Sequence, residues 1–462
     1  MTVVTKAEAV EAKSSAVLHR DLKHDPFRVV SSSGFYLQFD DGRKILDATG
    51  GAAVSCIGHG DQRVVEAISA QAKTLDYCHT MFYSCPSAED LCQKLIESTN
   101  GRMAKAFIVC SGSEAMDAAM KLCRQHFMEL PVPEPSRTHF IARRESYHGT
   151  TLGALSVGCH VGRRAMFEPV LMQNISHVSP CNAYRNKMSS ESTEEYVSRL
   201  ARELDDEFQL AGPQKVCAFI AETVVGAALG CVPAVEGYFK AMKAVCDKYG
   251  ALLVFDEVMC GMGRTGTMHA WEQEGVIPDI QTIGKGLGGG YAPIAGLLVG
   301  HRVISTLENG TGRFSHGHTY QAHPISCAAA AEVQRIIQKE RLVANAFRMG
   351  KYLESLLKQK LGHHNNVGDI RGRGLFWGIE FVKDKATKAP FDRELDVGMR
   401  VHQKGLSLNA NHGILLYPGS GSVDGKLGDH ILIAPAYNVT MSHIDEIVDL
   451  TVQAVEAAFE EL

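Results

Sequence analysis

Six short apolar runs alternate with stretches of helical periodicity between residues 105 and 300. The runs are KAFIVC (105–110), THFIAR (138–143), VCAFIAE (216–222), ALLVFD (251–256), IQTIG (280–284) and IAGLLVG (294–300). Alternating strand and helix units of this kind pack as a mostly parallel sheet that is covered by helices on both faces. The sequence therefore predicts an α/β fold whose large domain is built on this sheet.

Polar residues stand at the ends of several of these runs. Ser111 follows the first run, Glu222 ends the third, Asp256 ends the fourth and Lys285 follows the fifth. In open α/β sheets, ligands bind beyond the carboxyl ends of the strands. We therefore expect these side chains to lie around one ligand site.

The N-terminal segment has a different pattern. Residues 1–33 are predicted to form a helical arm followed by a serine-rich link. Residues 34–51, GFYLQFDDGRKILDATGG, alternate apolar and polar side chains around a turn at Asp41–Gly42, which is typical of a β-hairpin. Helical spacing returns over residues 64–75.

The C-terminal part begins with a helical stretch from about Pro324 to about Lys360 and ends with a helix from Ser442. Between them lie the apolar runs LFWGIEFV (375–382), GILLYP (413–418) and HILIAP (430–435), which indicate a smaller α+β region. The predicted domains are residues 1–58 as an N-terminal arm and hairpin that belong to the small domain, residues 59–323 as the large domain, and residues 324–462 as the small C-terminal α+β domain.

Composition excludes several classes of protein. The chain has 462 residues and a net charge of −5, so it offers no argument for nucleic acid or an acidic membrane surface as partner. Thirteen cysteines without any CxxC spacing do not form a disulfide scaffold or a zinc motif. There is no apolar run of about 18 residues and no signal-peptide core. We expect a cytoplasmic protein with reduced thiols.

Asp256 and Lys285 suit the two ends of pyridoxal 5′-phosphate (PLP). A carboxylate beside the pyridine nitrogen of PLP keeps that nitrogen protonated, and a lysine that loses its proton easily joins the aldehyde as a Schiff base. The glycines around Lys285 let the backbone approach a flat cofactor. Taken alone, each residue has a commoner explanation, namely a strand-end acid and a solvated lysine. Their joint occurrence favours the PLP hypothesis.

Two further motifs fit this hypothesis. Ser111-Gly112-Ser113 lies between an apolar run and a helical pattern, where free N–H groups and the helix dipole favour a phosphate. The alternative is a plain helix N-cap at Ser113. In Tyr147-His148-Gly149 the tyrosine ring could stack on a cofactor ring, or it could pack against the helix layer.

Three other motifs need a choice between interpretations. Residues 261–266 have the letters GxGxxG, but the glycines start five residues after the strand end and open no periodic helix, so we reject a dinucleotide site. His316 and His318 lack further ligands at metal spacing, so no metal site is predicted, and Thr319 is a better candidate as a hydroxyl donor to phosphate. Arg371 among glycines suits a substrate carboxylate, or it lies in a solvated turn.

Together these motifs resemble the class III aminotransferases, PLP enzymes of fold type I. The resemblance runs over most of the chain, and the aspartate and lysine blocks in this order are its most specific part. It is closest in motif to the amine:pyruvate, or omega-aminotransferase, branch. The matching segments are DGRKILDATGG, SGSEAMDAAMKL, YHG, AETVVGAALG, FDEVMCGMGRTG, PDIQTIGKGLGGGYAPIAG, HGHTYQAHP, DIRGRGLFWGIE and GDHILIAP.

The resemblance implies roles around the cofactor. Lys285 would form the Schiff base and shuttle the proton during catalysis. Asp256 would pair with the pyridine nitrogen, while Val258 and Tyr147 would pack on opposite ring faces. Glu222 would orient this network. The remaining cofactor-binding residues would be Ser111, Gly112, Ser113, His148 and Thr319.

The resemblance also implies an assembly and a substrate contact. Thr319 would reach the phosphate of a partner subunit, so a homodimer, or a tetramer, is expected. Arg371 would bind a carboxylate of the amino donor or acceptor. Three positions depart from the family pattern, namely Ala227 in place of a glutamate that pairs with the arginine in some members, Thr223 in place of a proline, and Asp61-Gln62 after an early His-Gly pair.

The implied activity is a ping-pong transamination from an amine or omega-amino donor to a keto acid, with pyruvate as the expected acceptor. A PLP-dependent aminomutase or decarboxylase of the same fold is the alternative. A non-catalytic PLP-fold or nucleotide-binding module and a dinucleotide-dependent oxidoreductase are the rival classes. The sequence does not identify the amino donor.

Overall fold

The computed structural model describes residues 15–409 and 412–462. The strands are β1 (Val29–Ser33), β2 (Tyr36–Phe39), β3 (Lys44–Asp47), β4 (Met103–Val109), β5 (His139–Arg143), β6 (Ile175–Val178), β7 (Val216–Glu222), β8 (Val224–Val225), β9 (Val232–Pro233), β10 (Leu252–Asp256), β11 (Ile280–Ile283), β12 (Ala295–Gly300), β13 (Val367–Arg373), β14 (Phe376–Phe381), β15 (His412–Leu415), β16 (Tyr417–Ser420) and β17 (Asp429–Ile433).

The helices connect these strands and cover them. They are α1 (Gly50–Ala53), α2 (Gln62–Thr74), α3 (Pro86–Ser98), α4 (Gly112–Met128), α5 (Leu152–Val157), α6 (Val161–Arg164), α7 (Ala183–Asn186), α8 (Thr193–Ala211), α9 (Tyr238–Lys248), α10 (Trp271–Glu274), α11 (His301–Asn309), α12 (Pro324–Lys339), α13 (Leu342–Leu361), α14 (Val397–Leu406) and α15 (Met441–Phe459). Short 3₁₀ turns lie at Glu168–Val170, Pro213–Lys215, Lys285–Leu287 and Arg393–Leu395.

The central sheet has seven strands in the order β4-β12-β11-β10-β7-β5-β6. All six predicted apolar runs are strands of this sheet. The pairs β11–β10, β10–β7, β7–β5 and β5–β6 are parallel, whereas β12 runs antiparallel to both of its neighbours. Side chains of α4 and α11 pack on one face of the sheet, and those of α8 and α9 pack on the other. The prediction of a mostly parallel sheet covered on both faces is confirmed.

The described residues form three smaller sheets besides the central one, two of four strands and one made of β8 and β9. The predicted N-terminal hairpin is present as β2 and β3, and β15 from the C-terminal part joins it parallel to β3. The run GILLYP is thus divided, because β16 belongs instead to a four-stranded sheet with β13, β14 and β17. The final helix, α15, begins at Met441, one residue before the predicted Ser442.

The long helix predicted from Pro324 to Lys360 is in fact two helices. The chain breaks at Arg341, whose φ of 54° lies in the left-handed region. No glycine or proline marks this turn in the sequence. The break lets α13 pack against β13 and α15 instead of continuing the line of α12.

The prediction of a helical N-terminal arm is wrong for the part that the structure describes. Residues 1–14 lie outside the described residues, and residues 15–28 contain no helix. The Asp21 carboxylate accepts hydrogen bonds from the Lys23 N–H at 2.8 Å and from His24, which offers the backbone a local turn in place of a helix. The serine-rich link is strand β1, paired with β2.

A membrane span was not expected from the sequence. Within residues 15–409 and 412–462, none of the helices combines the length and the apolar character that crossing a bilayer requires.

Candidate active site

Three adjacent parallel strands bring three polar residues side by side. In the register of β10 with β7, Asp256 lies opposite Glu222, and in the register of β10 with β11 it lies opposite Thr282. Each strand is fully buried up to this point, so the three polar groups mark the end of the apolar sheet. The expected gathering of acids at the carboxyl edge is therefore present.

Asp256 is buried and held by three hydrogen bonds. Its Oδ1 accepts from the Thr282 hydroxyl at 3.0 Å and from the Val258 N–H at 3.1 Å. Its Oδ2 lies 2.7 Å from Nδ1 of His148. Because an ionised carboxylate only accepts, Nδ1 of His148 carries the proton. A carboxylate has about four lone-pair positions, so one remains for a donor on a ligand.

Glu222 lies beside Asp256, at the end of the neighbouring strand β7. Its Oε1 accepts from the Tyr147 N–H at 3.1 Å and its Oε2 from the Gly226 N–H at 2.9 Å. Burial raises the pKa of Glu222, and the nearby charge of Asp256 adds to that rise, while His148 opposes it. The glutamate therefore fixes the backbone of the Tyr147 loop.

Lys285 begins a 3₁₀ turn directly after β11. Its φ of 46° lies in the left-handed region, which is costly for a residue other than glycine and is often found where a functional side chain must be aimed. Burial lowers the pKa of the Lys285 amine to about 8, and the carboxylates of Asp256 and Glu222 oppose that fall. An amine with this pKa is partly neutral near pH 7.

The start of α4 forms the opposite wall of the site. Ser111 is the N-cap, and its hydroxyl accepts from the Glu114 N–H at 3.3 Å, while the Glu114 carboxylate accepts from the Ser111 N–H at 2.9 Å. The hydroxyl oxygen of Ser113 accepts from the Thr150 N–H at 3.0 Å. Ser111 and Glu114 thus form a capping box at the start of α4.

Two glycines bring the walls close together. A Cβ atom on Gly112 would lie 2.8 Å from a methyl group of Val258. Gly149 has a φ of 138°, and a Cβ atom there would lie 2.5 Å from the hydroxyl oxygen of Ser113. A side chain at either position would fill or displace the wall, so the sequence leaves room there for a flat, anionic ligand.

These walls enclose one cavity of about 130 Å³. Eight of the predicted site residues line it, namely Gly112, Ser113, Tyr147, His148, Glu222, Asp256, Val258 and Lys285. The rest of the lining consists of Gly149, Val224, Ala227, Met259 and Cys260. The amine of Lys285 and the carboxylate of Asp256, which were predicted to serve one cofactor, therefore line the same cavity.

Three predicted residues do not line this cavity, namely Ser111, Thr319 and Arg371. Ser111 contributes through the cap of α4. Thr319 lies in an exposed loop.

Arg371 is buried in a network of its own. Its Nη1 contacts Asp369 at 3.0 Å and Glu380 at 2.5 Å. Its Nε donates to the Gly230 carbonyl at 3.0 Å, and Nη2 donates to the Leu229 carbonyl. The alternative of a solvated turn is wrong, because Arg371 is buried. The binding of a substrate carboxylate by Arg371 stays a prediction.

Several residues that support the site were not predicted from the sequence. Thr282 donates to Asp256, and the one available signal was a threonine inside an apolar run next to the aspartate strand. Glu257 is fully buried and accepts from Thr223 at 2.9 Å and from Gln281 at 2.8 Å. Thr223, which departs from the family's usual proline, thus has a hydrogen-bonding partner.

The third departure from the family pattern lies near the N-terminus. Asp61 is the N-cap of α2, where its carboxylate accepts from the Arg63 N–H at 3.0 Å. The preceding His59 contacts Asp47 at 3.0 Å. Asp61 therefore has a local structural role at the start of α2.

One group of possible metal ligands is present outside the cavity. Ligand atoms of Cys110, Glu114 and His318 lie within 4.8 Å of one another. The group is partly exposed, and the Glu114 carboxylate already accepts from two backbone N–H groups at the start of α4. We draw no metal site from it.

Comparison with known proteins places this chain. The family model for aminotransferase class-III matches residues 18–455. The chain belongs to the class-III aminotransferase family. An aminotransferase of Gibberella zeae is 53% identical over 96% of this chain and 86% of that protein. An uncharacterised aminotransferase of Schizosaccharomyces pombe is 50% identical over 97% and 96% of the two chains.

Solved structures of this class III family share the fold. An omega transaminase from Pseudomonas jessenii in complex with PMP superimposes with a TM-score of 0.87 at 31% identity, over 94% of this chain and 93% of that one. The predicted resemblance and the predicted fold are confirmed. The protein is an aminotransferase, a transferase enzyme of a PLP-dependent family.

The residues present fit that cofactor. One cavity holds an amine of lowered pKa, a carboxylate with an unused lone pair and a capped helix N-terminus beside glycines. These are the groups that an aldehyde, a protonated pyridine nitrogen and a phosphate require.

Proposed function

We propose that this aminotransferase moves an amino group from an amine or omega-amino donor to a keto acid, with pyruvate as the acceptor, by a ping-pong mechanism. The observation that carries the proposal is the single cavity that Lys285 and Asp256 share. Ala227 supports the amine:pyruvate branch, because no carboxylate at that position can pair with a substrate-binding arginine.

The chain's own residues hold the cofactor at three points. Lys285 would be the amine for its aldehyde, and Asp256 would be the carboxylate for the pyridine nitrogen. The N–H groups at Gly112 and Ser113, together with the dipole of α4, would hold its phosphate. When bound, PLP supplies an electron sink for the electron pair left at the substrate carbon. Tyr147 and Val258, which both line the cavity, would contact its ring.

Lys285 also moves the proton. Burial lowers the pKa of its amine to about 8, so a fraction of Nζ is neutral near pH 7 and could act as a base towards a substrate carbon. The same Nζ, once protonated, could return that proton. Thr282 and His148 would hold the Asp256 carboxylate in place meanwhile.

The assembly and the location belong to the same proposal. We expect a homodimer, or a tetramer, in which Thr319 serves the phosphate site of the partner subunit, and its exposure on this chain supports that role. A cytoplasmic location is expected. The domain boundaries at residues 58/59 and 323/324 stay a prediction, as does a carboxylate-binding role for Arg371, which the ion pairs of that residue do not support.

The proposal is tested with a panel of amines and omega-amino acids against pyruvate and 2-oxoglutarate. Lys285→Ala should abolish turnover, whereas Lys351→Ala, an exposed lysine paired with Glu354, should leave it unchanged. Product analysis separates the alternatives, since an aminomutase needs no second substrate and a decarboxylase releases CO₂. A protein that remains colourless after saturation with PLP would contradict the proposal.

A further inference from the structure

Arg163 lies against one wall of the active-site cavity. It belongs to the short helix α6, and its guanidinium carbon is 4.8 Å from the centre of the Tyr147 ring. Tyr147 itself lines the cavity. An arginine stacked on an aromatic face keeps its N–H groups in the plane of the guanidinium, so they are available at its edge.

The guanidinium of Arg163 lacks a protein acceptor within residues 15–409 and 412–462, in contrast with its neighbours. Arg164, the next residue, is bonded to Glu168 at 2.7 Å and to the Gly158 carbonyl at 2.6 Å. Arg371 is bonded to two carboxylates and two carbonyls. Arg163 therefore has a planar donor set that remains available to a ligand, beside a side chain that lines the cavity.

No carboxylate that lines the cavity forms an ion pair with Arg163. The cavity's two carboxylates, Glu222 and Asp256, are already hydrogen-bonded at the sheet edge. Ala227, which also lines the cavity, carries no charge. Burial raises the pKa of Tyr147 and the charge of Arg163 opposes that rise, so the two side chains interact electrostatically.

We infer that Arg163 binds a carboxylate at the end of the amino donor that is remote from its reacting amine. This inference rests on the proposed function and narrows it to amino acids whose amine and carboxylate are several bonds apart. A guanidinium matches a carboxylate with two parallel N–H···O bonds, which gives orientation as well as affinity. Arg371 already contacts the carboxylates of Asp369 and Glu380, whereas Arg163 has no ion pair among the described residues.

The experiment follows the first half-reaction by the absorbance change of the bound cofactor. The donors are 4-aminobutyrate and its neutral amide, 4-aminobutanamide. We expect Arg163→Gln to raise KM for 4-aminobutyrate about 10- to 100-fold with little change in kcat, because a charge-assisted contact made equally in both states is lost. The kinetics of the amide should not change. Arg163→Lys should keep part of the preference.

A second measurement does not depend on turnover. The unreactive anion butyrate is titrated into each holoenzyme by calorimetry, and its Kd should rise with Arg163→Gln by a similar factor. Arg20→Gln is the matched control, since Arg20 is an exposed cation whose charge also acts on Tyr147. Arg20→Gln should change the KM for 4-aminobutyrate and the Kd for butyrate by less than about twofold each, because exposed charges are screened.

The two hypotheses fail in different ways. If Arg163→Gln distinguishes the acid from the amide as well as the native enzyme does, and binds butyrate equally, the inference is overturned. The same holds if Arg20→Gln has the larger effect. If butyrate binding depends on Arg163 but neither donor changes the cofactor spectrum, the anion site is supported and the proposed transamination of such donors is contradicted.

Discussion

The lowered pKa of Lys285 should be visible in the pH dependence of cofactor capture by the apoenzyme. Only the neutral amine attacks the aldehyde. A fall in pKa from 10.5 to about 8 increases the neutral fraction at neutral pH by about 300-fold. The rate of capture, followed by absorbance, should therefore rise with pH and level off above about pH 8, whereas an ordinary lysine would continue to gain up to about pH 10.5.

The sign of the Asp256 contribution makes this prediction sharper. The carboxylate of Asp256 favours the charged amine, so Asp256→Asn should shift the midpoint to lower pH while burial continues to act. The same variant should reduce turnover strongly, since a neutral amide cannot hold a proton on the pyridine nitrogen. Asn at this position can still accept from Thr282 and Val258, so the fold should be retained.

Borohydride reduction and peptide mapping supply the control for these rates. The labelled peptide should contain Lys285. A midpoint near pH 10, a shift to higher pH with Asp256→Asn, or a label elsewhere in the chain would each refute the reasoning from burial and charge.

Two further substitutions test the walls of the site. Thr282→Val deletes the hydroxyl that donates to Asp256 and should lower the free energy of unfolding, measured in urea titrations, by about 1–3 kcal/mol. Thr282→Ser keeps a hydroxyl and should therefore retain most of that free energy. Equal losses in the two variants would contradict the hydrogen-bond argument. Gly149→Ala would place a Cβ atom 2.5 Å from the Ser113 hydroxyl at a φ of 138°, and it should weaken PLP binding at equilibrium dialysis. Gly162→Ala, where a Cβ atom meets His160 only at 3.7 Å, should not.

The sequence was sufficient to predict the central sheet and the position of its functional edge. Each apolar run that ends in Glu222 or Asp256 is a strand because its residues are uniformly apolar, and parallel strands place their carboxyl ends together. The direction of β12 could not be predicted, since an apolar run is compatible with either orientation. The break at Arg341 was also hidden, because a non-glycine residue adopts the left-handed conformation there and no turn residue signals it.

Arg371 shows why the roles of single residues were harder to predict than the fold. Its partner Asp369 is two positions earlier on the same strand, but Glu380 lies on the antiparallel strand β14, and Leu229 and Gly230 lie far away in the sequence. Whether an arginine is free or fully bonded depends on these tertiary contacts, which the pattern RGRG does not contain. Arg163, by contrast, lies in no motif that we identified.

The adjacent acids Asp256 and Glu257 differ in what they contact at the edge of the sheet. Asp256 is the last residue of β10 and Glu257 the first residue after it, and their carboxylates have different hydrogen-bonding partners. Asp256 faces the cavity and keeps one lone pair for a ligand. Glu257 faces the interior, where Thr223, Gln281 and two backbone N–H groups occupy its oxygens, and burial raises its pKa to about 7.

This arrangement ties the loop after β10 to the loop after β7. The hydroxyl of Thr223 contacts Glu257, and Glu222, one residue earlier, contacts the Tyr147 loop. A displacement at the end of β7 would therefore disturb the contacts of both Glu257 and the Tyr147 loop. A proline at residue 223 has no hydroxyl and could not make this contact. Thr223 therefore adds a hydrogen bond that connects Glu257 to the end of the strand that carries Glu222.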